Sequence, residues 1–92
     1  MPRHPKTPPT RDQLAAFNED MLFMDDYDHC LIGVASRYGM PNVAAYNLDK
    51  VIATLMHQGM SRDQACEFFA FNQLGSWVGE FTPIFVTLLT HE

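Results

Sequence analysis

Two helical signals stand almost end to end in this chain. Asn47 precedes Leu48, Val51, Ile52, Leu55 and Met56, which fall at the i, i+3, i+4, i+7 and i+8 positions of one helix face. Gly59 follows at the place where a left-handed residue closes a helix. Ser61 then pairs with Gln64 as a capping box, Ala65, Phe68, Phe69 and Asn72 line a second face, and Gly75 supplies the stop. Only Gly59, Met60 and Ser61 separate the two helices. They must therefore double back as an αα-hairpin whose apolar stripes share one core.

Upstream, Thr10 and Gln13 form another capping box, and Leu14, Ala15, Phe17, Met21, Leu22 and Met24 give a broad helical stripe. This predicts a first helix over 11–23, ended by Asp25-Asp26-Tyr27-Asp28, because carboxylates are disfavoured at the negative end of a helix dipole. Residues 29–36 and 43–46 are short apolar runs flanking the turn-rich segment Arg37 to Asn42, which reads as a β-hairpin, with a short helix over 30–37 as the competing reading. After Gly75 a link, Ser76 to Pro83, leads into the β-branched run Ile84 to Leu89, a strand expected to join the hairpin. The expected fold class is α+β: helix, β-hairpin, αα-hairpin and C-terminal strand, with a small antiparallel sheet packed on helices. Phe68, Phe69, Trp77 and Phe85 are expected to supply much of the core, at roughly 1.5 to 3 kcal/mol each. Met56 is expected inside, and Met21 and Met24 are the methionines expected on the surface.

With 92 residues, 47% of them hydrophobic, the chain has enough material for one core and too little for two. Pro2, Pro5, Pro8 and Pro9 mark residues 1–10 as a flexible arm, so 11–92 is the single expected domain. Charge divides at the same place. Arg3, Lys6 and Arg11 stand together without an acid, whereas beyond residue 11 three basic residues face eleven acids. The formal net charge is −5, which argues against direct nucleic-acid binding and steers the body toward basic surfaces. Neither a signal peptide nor a membrane span is expected. Cys30 and Cys66 fit no CxxC pair or disulfide framework, and a reducing cytoplasmic setting with two buried thiols is the expectation.

One stretch has a recognisable pattern: Glu67-Phe68-Phe69-Ala70-Phe71-Asn72-Gln73-Leu74-Gly75-Ser76-Trp77-Val78-Gly79-Glu80-Phe81-Thr82-Pro83. It resembles a group of small phage and prophage proteins that carry E-(Y/F)-F-x-(F/Y)-N-x-x-G-x-W-V-G-E-x-T-P near the C-terminus. Those proteins also carry I-G-x-A-x-R-(F/Y)-G, matched by Ile32, Gly33, Ala35, Arg37, Tyr38 and Gly39. Val43 to Tyr46, Lys50-Val51-Ile52 and Gly59-Met60-Ser61 extend the resemblance, which covers about residues 28–85. It implies a viral or mobile-element source, in whose small proteins binding of a host protein is a common mode of action. It brings no catalytic residue and no cofactor.

The residues themselves offer few reactive groupings. Asp25, Asp26, Asp28, His29 and Glu80 are the densest ionisable set, but the D-D-x-D-H spacing matches no calcium loop. Cys30 beside His29 is a poor nucleophile and base pair, since neighbours on a strand point to opposite faces. The expectation is a protein that is not an enzyme, holding no cofactor and no metal, that binds a basic host protein, for example one handling nucleic acid or acting in defence. Its contact residues would be Trp77 as anchor, Glu80 beside Arg37 as polar partners, Tyr46, and the acidic Asp25, Asp26 and Asp28. Self-association as a dimer is expected. Two further hypotheses stand beside it: an oligomer sequestering a small ligand or nucleotide between Arg37, Tyr46 and Trp77, and a minimal metal-dependent hydrolase using Asp28, His29 and Glu80. Asn72 is expected to be buried and bonded to the backbone of the link at 76–80.

Overall fold

The structure is a computed structural model that describes residues 8–74 and 79–89. The arm at 1–7, the helix stop at Gly75 and the link residues Ser76, Trp77 and Val78 lie outside the described residues. Along the chain run α1 (Arg11–Ala15), a single 3-10 turn (Asp28–Cys30), β1 (Leu31–Ala35), β2 (Val43–Asn47), α2 (Leu48–His57), α3 (Arg62–Phe69) and β3 (Ile84–Val86). An N-terminal helix, a β-hairpin, an αα-hairpin and a final strand thus follow in the expected order.

The local signals act as the sequence specifies. Thr10 Oγ1 accepts from the Gln13 N–H while Gln13 Oε1 accepts from the Thr10 N–H, and Ser61 and Gln64 repeat the exchange at α3. Asn47 Oδ1 accepts from the Lys50 N–H to start α2. At its other end Gly59, with φ 110°, lets its own N–H reach the Met56 carbonyl and the Met60 N–H reach Leu55. This paired closure satisfies carbonyls that would otherwise be orphaned.

The first helix is much shorter than 11–23. Beyond Ala15 the chain turns, with Phe17 and Asn18 donating only to carbonyls three residues back. Asn18 then commits its side chain elsewhere: Oδ1 accepts from the Asp20 N–H and Nδ2 donates to the Asn42 carbonyl in the hairpin loop. Asn side chains that bond the backbone in this way compete with helix continuation. Arg11 completes the reversal by reaching the Met24 carbonyl, Asp25 and Asp28, so residues 16–28 fold back across α1.

The sheet has strand order β1-β2-β3. β1 pairs antiparallel with β2, with an irregularity between Leu31 and Gly33 that leaves Ile32 outside the regular register. β3 is parallel to β2, with Ala45 opposite Ile84, Tyr46 opposite Phe85 and Asn47 opposite Val86. The wholly antiparallel sheet expected from the sequence is therefore corrected to a mixed one. The reason lies in the αα-hairpin: a connection of that length returns the chain to the starting end of the sheet, which is what a parallel neighbour requires. β3 is also three residues long, not the six of 84–89.

β2 is the central strand and is buried throughout, from Val43 to Tyr46. Around it Leu14, Leu31, Val51, Ile52, Leu55, Ala65 and Phe69 form one core, with Phe85 packed against it. Phe85 lies parallel-stacked on Tyr46 at 5.8 Å and edge-on to Phe69 at 4.8 Å, offset geometries that aromatic quadrupoles favour. Several single-residue expectations are corrected. Met21 is buried and Met24 half-buried, because the segment after α1 folds inward. Met56 and Phe68 are exposed: on these short helices Leu48, Val51, Ile52 and Leu55, and Ala65 and Phe69, face the core.

Past Phe69 the α3 ladder widens into a π-helical turn over Ala70–Leu74. There Asn72 is exposed, and its Nδ2 donates to the Phe68 carbonyl at 3.1 Å, the acceptor that a continuing α-helix would offer to the Asn72 N–H. The expected burial of Asn72 is thereby corrected, and most of the link it was expected to bond lies outside the described residues. Among the described residues no helix is long and apolar enough to cross a membrane.

Candidate functional site

The parallel course of β3 determines what meets at the loop end of the sheet. With Ala45 opposite Ile84 in a parallel pair, the residues that precede β3 lie toward the Val43 end of β2, and Glu80 and Thr82 line one pocket with Val43, Met40 and Pro41. An antiparallel β3 would have carried Glu80 to the opposite end, beside the start of α2. Glu80 sits in a turn closed by the Thr82 N–H, which donates to the Gly79 carbonyl at 3.1 Å, with the Thr82 hydroxyl donating to the same oxygen. The loop carrying Arg37 is held by the Met40 N–H donating to the Arg37 carbonyl at 3.0 Å and by Ser36 Oγ donating to Asn42 Oδ1 at 2.7 Å. Gly39, at φ 75°, makes the left-handed residue of that turn.

Between these two turns lies a pocket of about 400 Å³. Ala35, Met40, Val43 and Ile84 give it an apolar lining, and Arg37 and Glu80 stand in its wall with both side chains exposed. The ion pairs among the described residues are both made by Arg11, so Arg37 and Glu80 each present an uncommitted charge. The pocket holds neither a cysteine nor a histidine, and its Ser36 hydroxyl is engaged by Asn42. The pocket offers an apolar floor flanked by one cation and one anion.

Other candidates from the sequence are placed differently. Tyr46 is fully buried, and its hydroxyl accepts a hydrogen bond from the Met24 N–H at 2.8 Å. Its assignment to a contact surface is corrected, because a residue on the central strand is covered from both faces. Burial pushes the Tyr46 phenol above its ordinary range. Asp25 and Asp28 are tied to Arg11, Asp28 by a 2.7 Å bond to Nε and Asp25 at 3.4 Å from the other end of the guanidinium. The same guanidinium lies 5.2 Å over the Phe23 ring, and the Asp28 bond raises its affinity for its proton. Asp26 is exposed at φ 72°, the left-handed conformation that Asp and Asn tolerate better than most residues. Trp77 lies outside the described residues.

The hydrolase grouping does not assemble. Asp28 and His29 line one groove with Arg11 and Asp12, while Glu80 lines the pocket at the other turn. Among the described residues no three of His, Cys, Asp and Glu gather closely enough to hold a metal ion. Cys30 is buried in the 3-10 turn, where desolvation pushes its thiol up, away from the thiolate a nucleophile needs. Cys66, expected inside, is exposed, since the adjacent Ala65 takes the core-facing position of α3.

Sequence reasoning missed two groups. Arg11, expected only as the first residue of the N-terminal helix, organises the 24–28 turn, and nothing local in the sequence links it to Asp28. His29 Nε2 lies 2.7 Å from Thr54 Oγ1, which brings the histidine against α2. The spacing of Lys50, Thr54 and His57 along α2 was the available signal for that face. Compared with protein families, with curated proteins and with solved structures, the chain matches none.

Proposed function

We propose that the protein acts by binding another protein, taking an apolar side chain of that partner into the pocket between the hairpin loop and the Gly79–Thr82 turn. The observation that carries this reading is the meeting of Arg37 and Glu80 in the wall of an apolar pocket. A volume of 400 Å³ is at the low end for small-molecule sites and suits one inserted side chain with its flanking backbone. Opposite charges beside the floor fix orientation: an acidic neighbour in the partner faces Arg37 and a basic neighbour faces Glu80. The acidic body favours a partner whose wider surface is basic. The resemblance to small phage proteins supports a host protein as that partner.

The test is affinity capture from a host lysate using the native protein alongside Arg37→Glu and Ile84→Asp variants. A protein retained by the native chain and lost with both variants supports the reading. Equal retention by all three contradicts it. Arg37 and Ile84 are exposed, so folding is preserved in both, which circular dichroism verifies.

A further inference from the structure

We propose that the groove between the Asp28–Cys30 turn and α2 is a second binding site, separate from the pocket at Arg37 and Glu80, and that it takes a tetrahedral oxyanion of the phosphate or sulfate type. The groove has a volume of about 470 Å³ and is lined by His29, Lys50, Ala53, Thr54 and His57. Three of these five side chains can carry positive charge and none is a carboxylate. In a chain with eleven acids and six lysines and arginines, that lining is a local reversal of sign.

The arrangement is ordered. Lys50, Thr54 and His57 follow one another at i, i+4 and i+7, so they form a single stripe on α2. Thr54 Oγ1 donates to the Lys50 carbonyl at 2.8 Å, which leaves its lone pairs for His29 Nε2 at 2.7 Å. With the Thr54 hydroxyl proton given to the Lys50 carbonyl, His29 Nε2 is the donor in that contact. The Tyr27 ring, 6.5 Å away and nearly parallel, backs the imidazole on the other side. Lys50 makes no ion pair among the described residues. The carbonyls of Thr54, Leu55 and Met56, which would repel an anion, are occupied by the N–H groups of Gln58, Gly59 and Met60.

The charges around His29 favour an anion. On its own turn Asp28 is held by Arg11, and α1 contributes Arg11 and Asp12 to the groove on the far side of the ring. α2 contributes Lys50 and His57, and the Cys30 thiol beneath is held neutral by burial. Ala53 leaves an apolar floor on which the organic part of an ester can lie.

The test is an NMR titration of the full chain with sodium sulfate at constant ionic strength and pH. Saturable shifts at residues 29, 50, 54 and 57 are expected. Lys50→Gln and His57→Gln are each expected to weaken binding by about tenfold, the loss that follows from removing one charged hydrogen bond. Both residues are exposed, so both variants fold. Phenyl phosphate binding more tightly than inorganic phosphate supports the site as one for an ester, and equal binding supports it as one for the free ion. Shifts that never saturate, or an affinity unmoved by both substitutions, overturn the proposal.

Discussion

The Tyr46 hydroxyl, on the central strand, accepts a 2.8 Å hydrogen bond from the backbone N–H of Met24. That bond joins the sheet to the folded-back segment after α1, and it gives a buried phenol its polar partner. Tyr46→Phe keeps the ring and its stacking on Phe85 while leaving the Met24 N–H without that acceptor. A loss of about 1 to 3 kcal/mol is expected, the cost of an unsatisfied buried donor, measured by urea unfolding. Unchanged stability would show that water replaces the hydroxyl and that the link is not structural.

Stability should fall on the alkaline side in two steps. Burial raises the Cys30 thiol above its ordinary 9.0 and the Tyr46 phenol above its ordinary 10.0. Above those values the unfolded chain loses these protons more readily than the folded one, so ionisation pulls the equilibrium toward unfolding. The stabilisation is full below about pH 9 and is lost as pH rises through the folded values. Unfolding free energies from pH 7 to 11 should decline first through Cys30, and Cys30→Ala should remove that first decline while Tyr46→Phe removes the later one. Parallel curves for all three proteins would contradict this.

Arg11 should act as a clasp on residues 24–28. Arg11→Ala removes its bonds to Met24, Asp25 and Asp28 and its contact with Phe23. Because these pairs are largely solvent-exposed, the global loss should be only about 1 kcal/mol. The sharper readout is hydrogen exchange, which should quicken at residues 24–28 well before the core exchanges. Exchange that quickens uniformly would mean that the clasp has no local role.

How much of this was readable in advance depended on range. Ser61 with Gln64, Thr10 with Gln13, and Asn47 with Gly59 were legible because each signal and its effect lie within a few residues. The end of α1 was not, since Asn18 and Arg11 terminate it through partners at Asn42 and Asp28. The direction of β3 was also hidden: no residue of Ile84 to Val86 states which way it pairs, and the two intervening helices decide it. Tyr46 looked like a contact residue because an aromatic hydroxyl reads the same on a surface as in a core, and only the order of strands buries it. Arg37 and Glu80 were each singled out and suggested as neighbours, but the register that brings them to one pocket is a property of the sheet.

The two thiols should differ in reactivity by their placement alone. Cys66 is exposed and Cys30 buried. A chromogenic disulfide reagent should modify one thiol per folded chain rapidly and the second only on unfolding, with Cys66→Ser abolishing the fast phase. Two equally slow thiols would place Cys66 in an interface between copies.

The central claim is that the pocket flanked by Arg37 and Glu80 is where this protein meets its partner, and photo-crosslinking tests it at the pocket itself. A benzophenone side chain in place of Met40, which lines that pocket, should crosslink one defined partner segment in host lysate, and the same group in place of the exposed Gln58 should not. The crosslinked segment should carry an apolar residue with an acid on one side and a base on the other. Crosslinks of equal yield and identity from both positions, or none from Met40 while Gln58 captures a partner, would contradict the account.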